Sequence, residues 1–250
     1  MAILRSKPVG AAVAAVVFFL IWHVAAIILN KVFLPTPFVS FAAFFRIIAS
    51  GEILGHFFVS ACRIVLSLVI AGAPAVFLGI WMGRNKAVYS FFAPFVFFLY
   101  PLPKVVFLPI IVILTGIGNT PKIAIIGLVV FFQVVVVALD ASKSVPLSAV
   151  QSIRSLNAGK FQIYWHLIVP FALPQIFTSL RISLGTATAV LFFAESFASA
   201  NGIGYFIMDS MSRRSYDLMY AGIIAMALLG LAAYAVTDLA ERYFCRWRKN

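Results

Sequence analysis

Residues 149–174 read AVQSIRSLNAGKFQIYWHLIVPFALP. They interrupt a 250-residue chain in which 64% of residues are hydrophobic and 10% are charged. The interruption is amphipathic. Pro146, just before it, suits a helix start, because a first-turn residue has no N–H to lose there. From that point Leu147, Val150, Ile153 and Leu156 recur every three residues and predict an apolar face, with Ser148, Gln151, Ser152, Arg154 and Ser155 on the others. Asn157, Ala158 and Gly159 predict a stop, since Asn and Gly readily take the left-handed backbone that closes helices. A second short helix is expected over residues 160–169, presenting Phe161, Ile163, Tyr164 and Trp165, before Pro170 and Pro174 open a new apolar run. This element has two readings: a helix pair resting on lipid headgroups, or a docking surface for a soluble partner.

On both sides of it the chain is oil. Runs long enough to cross a hydrocarbon layer of about 30 Å define an all-α polytopic membrane protein, with about six transmembrane helices in a single transmembrane domain covering residues 1–250. The spans are expected near residues 9–29, 57–82, 87–114, 123–139, 171–194 and 218–239, with a loop over 142–170. The first run is too long for a signal-peptide core, and no soluble domain follows it, so it is read as an uncleaved span. Residues 31–55 read as a loop with an interfacial helix. The third span carries Pro94, Pro101, Pro103 and Pro109, which cannot all sit in one unbroken helix. Their missing donors demand kinks or unwound turns, tolerated in a membrane only against protein or a watery cavity.

An even number of spans puts both termini on one side. Eleven cations mark that side (Arg5, Lys7, Arg84, Lys86, Lys143, Arg154, Lys160, Arg242, Arg246, Arg248 and Lys249), against five opposite (Lys31, Arg46, Lys122, Arg213 and Arg214). Termini and loop are therefore expected in the cytoplasm. The net charge of +12 thus has a topological explanation and gives no reason to invoke nucleic acid. Cys62 and Cys245 suggest no disulfide framework. No phosphate-loop motif follows the Gly159-Lys160 pair, and His23, His56 and His166 lie far apart, so neither a nucleotide site nor a metal site is expected.

The spacing of the interruption resembles the cytoplasmic loop of ABC importer permeases, in which a Glu-Ala-Ala triplet precedes Gly and then a hydrophobic residue, a spacer and Leu-Pro. Here those positions read Gln151-Ser152-Ile153, Asn157 and Leu167-Ile168-Val169-Pro170. Elsewhere RIVLSLVIAGAPAVFLGIWMG (63–83), YPLPKVVFLPIIVILTGIGNTPKIAII (100–126) and LPQIFTSLRISLGTATAVLFFAE (173–195) are similar to the permeases serving nitrate, sulfonates, taurine and thiamine precursors. That resemblance implies a type I importer fold with a cytoplasmic coupling helix between spans four and five. It implies a multi-pass subunit of a bacterial plasma (inner) membrane, paired with a second permease copy as a homodimer. Two cytoplasmic ABC ATPase subunits carrying ATP and Mg, and an extracytoplasmic solute-binding protein, complete the implied complex. The chain itself is expected to be noncatalytic and to bind no cofactor. Coupling to the ATPase is assigned to Gln151, Ser152, Ile153, Arg154, Leu156, Asn157, Ala158 and Gly159. A secondary transporter or channel would also use broken helices, but no inverted repeat is detectable and the long amphipathic loop fits less well.

Three polar residues are candidates for the translocation pathway or its gate. Lys104 lies in the proline-broken segment, where unwound backbone beside a charge commonly marks a transport route. Arg181 either lines the pore or forms a structural pair with Asp140 or Asp238, because an unpaired charge facing lipid is costly. Glu195 is either a gating contact or a hydrated helix end. Arg63 is expected to snorkel from the outer end of span two. The glycine pairs Gly116-Gly118 and Gly202-Gly204 read as outer turns that shape the surface meeting the binding protein, and the 26 phenylalanines read as packing.

Overall fold

The computed structural model describes residues 7–249; the topology-marking Arg5 lies outside the described residues, as do the side chains of Lys7, Arg248 and Lys249. The described chain is helical throughout: α1 (Lys7–Leu29), α2 (Pro37–Ala49), α3 (Glu52–Arg84), α4 (Lys86–Leu99), α5 (Leu108–Thr115), α6 (Thr120–Lys143), α7 (Leu147–Ser155), α8 (Lys160–Ile163), α9 (Val169–Ser196), α10 (Ile203–Ser212) and α11 (Tyr216–Phe244). Five helical stretches are long and apolar enough to cross a membrane, and α4 with α5 makes a sixth, bent by 86°.

The bend follows from Pro101 and Pro103, which withdraw two N–H donors from one turn, and a short 3-10 turn over Lys104–Phe107 carries the chain round the corner. Pro109 falls in the first turn of α5, where a missing donor costs nothing. The pair is a broken span and not a re-entrant loop. Near the start of α4, Tyr89 lies under the ammonium of Lys143 from the end of α6, 3.7 Å from its ring centre. Asn119, past the end of α5, meets Arg63 at the opposite end of the bundle.

Helix α6 is the hub. Val130, Val134, Val135 and Ala138 are fully buried between α3 and α9. Gly79 makes the α3 contact possible, because a Cβ there would fall 2.5 Å from the Val135 carbonyl and 2.6 Å from Ala138 Cβ. Such small residues let backbones approach closely, which is the main source of helix association where lipid removes the hydrophobic driving force. In contrast α1 is almost wholly exposed and meets the bundle mainly near Trp22, whose indole N–H donates to the Pro35 carbonyl at 3.1 Å and whose ring stacks on Tyr220.

Two expectations are corrected. The second short helix over 160–169 is not separate: residues Lys160–Ser196 form one continuous helical stretch, joined by a π-helical segment, Tyr164–Ile168. Widening the helix there, with Val169 N–H bonded to the Tyr164 carbonyl, gives the Pro170 ring room against the carbonyl one turn back. Nor do Leu147, Val150, Ile153 and Leu156 share a face. At 3.6 residues per turn a spacing of three drifts by about 60° each step. Val150 is therefore buried and Ile153 half-buried, while Leu147 and Leu156 are 70% and 81% exposed.

Candidate functional site

The helices place polar chemistry at three levels, beginning with the elbow formed by α7 and α8. Helix α7 ends in a Schellman motif: Asn157 N–H donates to the Arg154 carbonyl at 2.9 Å and Ala158 N–H to the Ile153 carbonyl at 3.4 Å. Asn157 supplies the left-handed residue this closure needs, with φ of 60°. Gly159 does not share that role, contrary to expectation. It is extended, with φ −69° and ψ 163°, and its N–H is held by Gln162 Oε1 at 2.8 Å. Val150 and Ala158 face an inner apolar cluster with Ile80, Ala138, Val145, Ile163 and Ala172. Gln151, Ser152, Arg154, Leu156, Asn157 and Gly159 are all exposed, and Ile153 sits at the edge. The elbow is thus fixed from beneath and open above.

The second level is the break in the third span. Lys104 Nζ is held by the Tyr100 carbonyl and lies 5.1 Å from the Phe132 ring centre and 5.5 Å from that of Tyr100. No described carboxylate lies within ion-pair distance of it. Nearby on α6, Gln133 Nε2 donates to Thr186 Oγ1 of α9 at 3.3 Å, while Gln133 Oε1 is buried without a partner. An unneutralised cation beside a broken helix is costly in hydrocarbon, which argues that this face meets water or a ligand.

The third level lies at the end away from the elbow. Glu195, fully buried, accepts from Ser60 Oγ at 2.7 Å, Arg63 Nη1 at 2.7 Å and Gly204 N–H at 2.8 Å. The last bond sets a carboxylate on the N-terminus of α10, where the helix dipole favours negative charge. Arg63 is 2% exposed and spends all five of its N–H groups: besides Glu195, Asn119 Oδ1 accepts from Nε at 3.0 Å and Nη2 at 2.7 Å, and Asn201 accepts through its carbonyl at 3.1 Å and Oδ1 at 2.5 Å. Arg63 therefore does not snorkel, because a buried carboxylate and two amides are within its reach and solvent is not. Ser60 Oγ accepts from Ile203 N–H at 2.9 Å, and His56 Nδ1 from Gly202 N–H at 3.1 Å. Gly202 has φ of 110°, and a Cβ there would lie 2.3 Å from the Glu195 carboxyl carbon, so the site admits only glycine. Lys122, buried to 2% exposure, donates to the Gly118 and Ala198 carbonyls at 2.9 and 3.3 Å.

The sequence candidates are consequently not one cluster. Glu195 closes the end away from the elbow and is not a hydrated helix end. Arg181 lies fourteen positions earlier on α9, about 21 Å along the axis. Of its two possible partners it takes Asp238, at 3.3 Å, and it also pairs with Glu241, while Thr178 accepts from Nη2 at 3.1 Å. It borders an apolar cavity of about 800 Å³ between α9 and α11, lined also by Thr188, Met226 and Tyr234. Ser60, His56, Asn119 and Asn201 carry no motif, and only the position of Arg63 at the end of a span hints at them.

Residues 75–249 match the family model described as binding-protein-dependent transport system inner membrane component. The taurine transport system permease protein of Escherichia coli (strain K12) is 32% identical over 239 residues, which cover 93% of this chain and 87% of that protein. A putative aliphatic sulfonates transport permease of Bacillus subtilis (strain 168) is 30% identical, covering 89% of this chain and 81% of its own length. The formylaminopyrimidine transport permease protein of Halalkalibacterium halodurans is 26% identical, with 92% of each chain covered. Among solved structures, an inward-facing MetNI methionine ABC transporter chain superposes with a TM-score of 0.60 at 15% identity, over 77% of this chain and 94% of that one.

Proposed function

As the chain belongs to the family of binding-protein-dependent transport system inner membrane components, we propose that it forms half of the pore of an ATP-driven importer, coupled through its elbow to a separate ATPase. The observation that carries this reading is the construction of the elbow. Its underside is packed, its polar side is open, and its second arm runs without interruption into the span of α9. A soluble ATPase gripping Gln151, Ser152, Arg154 and Leu156 therefore pulls directly on α9, and closure of two ATPase subunits around ATP and Mg rocks α9 against α6. The elbow and both termini lie in the cytoplasm. Two copies of the chain enclose the pathway, and a loaded binding protein on the far side supplies the differential affinity that any shift toward an outward-facing state requires.

Lys104 lines that pathway, where its unneutralised charge and the spare acceptor of Gln133 face the solute. The solute is a small anion of the sulfonate, taurine or nitrate type, or a thiamine precursor. The relatives that carry taurine and aliphatic sulfonates favour the organic sulfonates. Arg181 belongs to the α9–α11 brace, and Glu195 to a structural block at the outer face.

Co-expression with a candidate ATPase and reconstitution with its binding protein tests the reading. Uptake of labelled taurine should require ATP and be blocked by vanadate. Ser152→Glu with Asn157→Lys should abolish uptake and weaken ATPase copurification. Undiminished assembly and uptake in that variant would refute the docking role.

A further inference from the structure

A second apolar cavity, of about 600 Å³, runs between α3 and the stretch from α8 into α9. Its α3 wall extends from Leu68 past Gly72 and Val76 to Trp81. At 1.5 Å per residue that is about 20 Å. Half of a hydrocarbon core about 30 Å thick is about 15 Å, so the groove is long enough to take one lipid chain from one leaflet. Val69, Phe77, Trp81, Phe161 and Trp165 on its rim are exposed, so it opens sideways toward lipid, not along the bundle axis.

Its two ends differ chemically. The far end is aliphatic. The elbow end is ringed by Trp81, Tyr164 and Trp165, the amphipathic aromatics that settle at headgroup depth. Two cations stand just beyond. Arg84 is one turn past Trp81, at the end of α3. Lys160 lies one turn before Tyr164 on the same helical face. Neither has a described carboxylate within ion-pair distance; Arg84 bonds the Ser142 carbonyl at 3.4 Å, and Lys160 is exposed.

We propose that this groove binds one anionic phospholipid from the leaflet on the elbow side. One acyl chain lies along residues 68–81, the three aromatic rings sit at the ester level, and the phosphate faces Arg84 and Lys160. The ligand class follows from the pairing of an apolar slot long enough for one lipid chain with unneutralised positive charge at its mouth. The consequence is mechanical. The chain occupies the angle between α3 and the π-helical joint at Tyr164–Ile168, where the elbow becomes a span. A bound lipid wedges that joint, so the stiffness of the lever depends on the membrane around it. This site is independent of what the pore carries.

The test uses the full chain with Trp22→Phe and Trp247→Phe, which leaves Trp81 and Trp165 as reporters. In nanodiscs of phosphatidylcholine containing a rising fraction of brominated phosphatidylglycerol, their fluorescence should be quenched with half-saturation at a fraction about tenfold below that needed with brominated phosphatidylcholine. Arg84→Gln and Lys160→Gln should each raise the half-saturating fraction about fivefold, as expected for one lost surface charge. Gly72→Phe should lower the quenching at saturation, because its Cβ meets only Leu180 Cδ2, at 3.7 Å, and the ring enters the groove. Equal quenching by both lipids in the unsubstituted groove, or indifference to both charge changes, would reduce the site to ordinary boundary lipid and overturn the proposal. Protection of both tryptophans from either lipid, in a chain that runs as a dimer, would overturn it in favour of a second copy filling the groove. The lipid comparison needs neither transport activity nor the folding of any groove variant.

Discussion

The two ends of this helix bundle are held together by opposite means. At the end away from the elbow α3, α6, α9 and α10 are tied by a buried ion pair whose charges are matched bond for bond, from Ser60 and Arg63 through Asn119 to Glu195 and Gly204. At the elbow end α3, α6 and α9 meet α7 and α8 mainly through apolar contacts among Ile80, Ala138, Val150, Ile163 and Ala172 and a π-helical turn, with one buried hydrogen bond from Ser142 Oγ to the Ile80 carbonyl at 3.1 Å. The Arg181 brace with Asp238 and Glu241 ties α9 to α11 rather than to the elbow. Directional bonds between buried charges have one satisfactory geometry and resist displacement, whereas aliphatic surfaces slide at modest cost. On the proposed coupling role, the end away from the elbow would act as a fixed block and motion would enter at the elbow end.

The sharpest way to break that contrast is to remove one partner of the outer pair. Glu195→Ala leaves Arg63 charged and buried, and should cost about 3–5 kcal/mol, seen as a large fall in the thermal midpoint of the detergent-purified chain. The double change Arg63→Met with Glu195→Met should recover most of the loss, since what is costly is the orphaned charge. Next in size, Gly202→Ala should cost about 1–3 kcal/mol by the same measurement, because the added methyl meets the Glu195 carboxyl at a φ disfavoured for alanine.

Changes at the elbow should be smaller in stability and larger in function. Asn157→Val puts a β-branched residue in the left-handed position and should cost about 1–2 kcal/mol. It should also depress solute uptake while the basal ATPase rate of the complex persists. Asn157→Gly should be neutral in both assays. Smallest of all, Gly159→Ala should change stability by less than about 0.5 kcal/mol, because Gly159 is extended and nothing but the Gln162 side chain lies near its Cβ position. A Gly159→Ala effect as large as that of Asn157→Val would mean that both residues set the elbow angle.

The same contrast explains what could be read from the chain alone. Hydropathy and proline placement are local signals, so the spans, a break among the four prolines of the third span and the elbow between the fourth and fifth spans are legible. The place of that break at Pro101 and Pro103 is not, since Pro94 sits inside α4 and Pro109 in the first turn of α5. For Arg181 the sequence leaves three readings open, pore lining or a pair with Asp140 or Asp238, and only the packing of α9 on α11 selects Asp238 and adds Glu241. Arg63 and Glu195 are 132 positions apart, and nothing in a single sequence says that their helices bring them to one buried point. The π-helical joint was hidden for a different reason. Pro170 reads as a helix start, and only packing of the elbow on Ile80 and Ala138 makes it worthwhile to carry the helix through it. Leu147 and Leu156 do not share a face because each step of three residues drifts by about 60°, so that three steps, about two and a half turns, bring the chain to the opposite side.

Whether the elbow faces the cytoplasm and meets an ATPase can be read from its accessibility. In a background with Cys62→Ser and Cys245→Ala, a cysteine in place of Ser152 is treated with a membrane-impermeant maleimide. Labelling is expected in inside-out vesicles and not in intact cells, with protection when the partner ATPase is bound. Labelling from outside intact cells, or labelling that the bound ATPase leaves unchanged, would contradict that expectation.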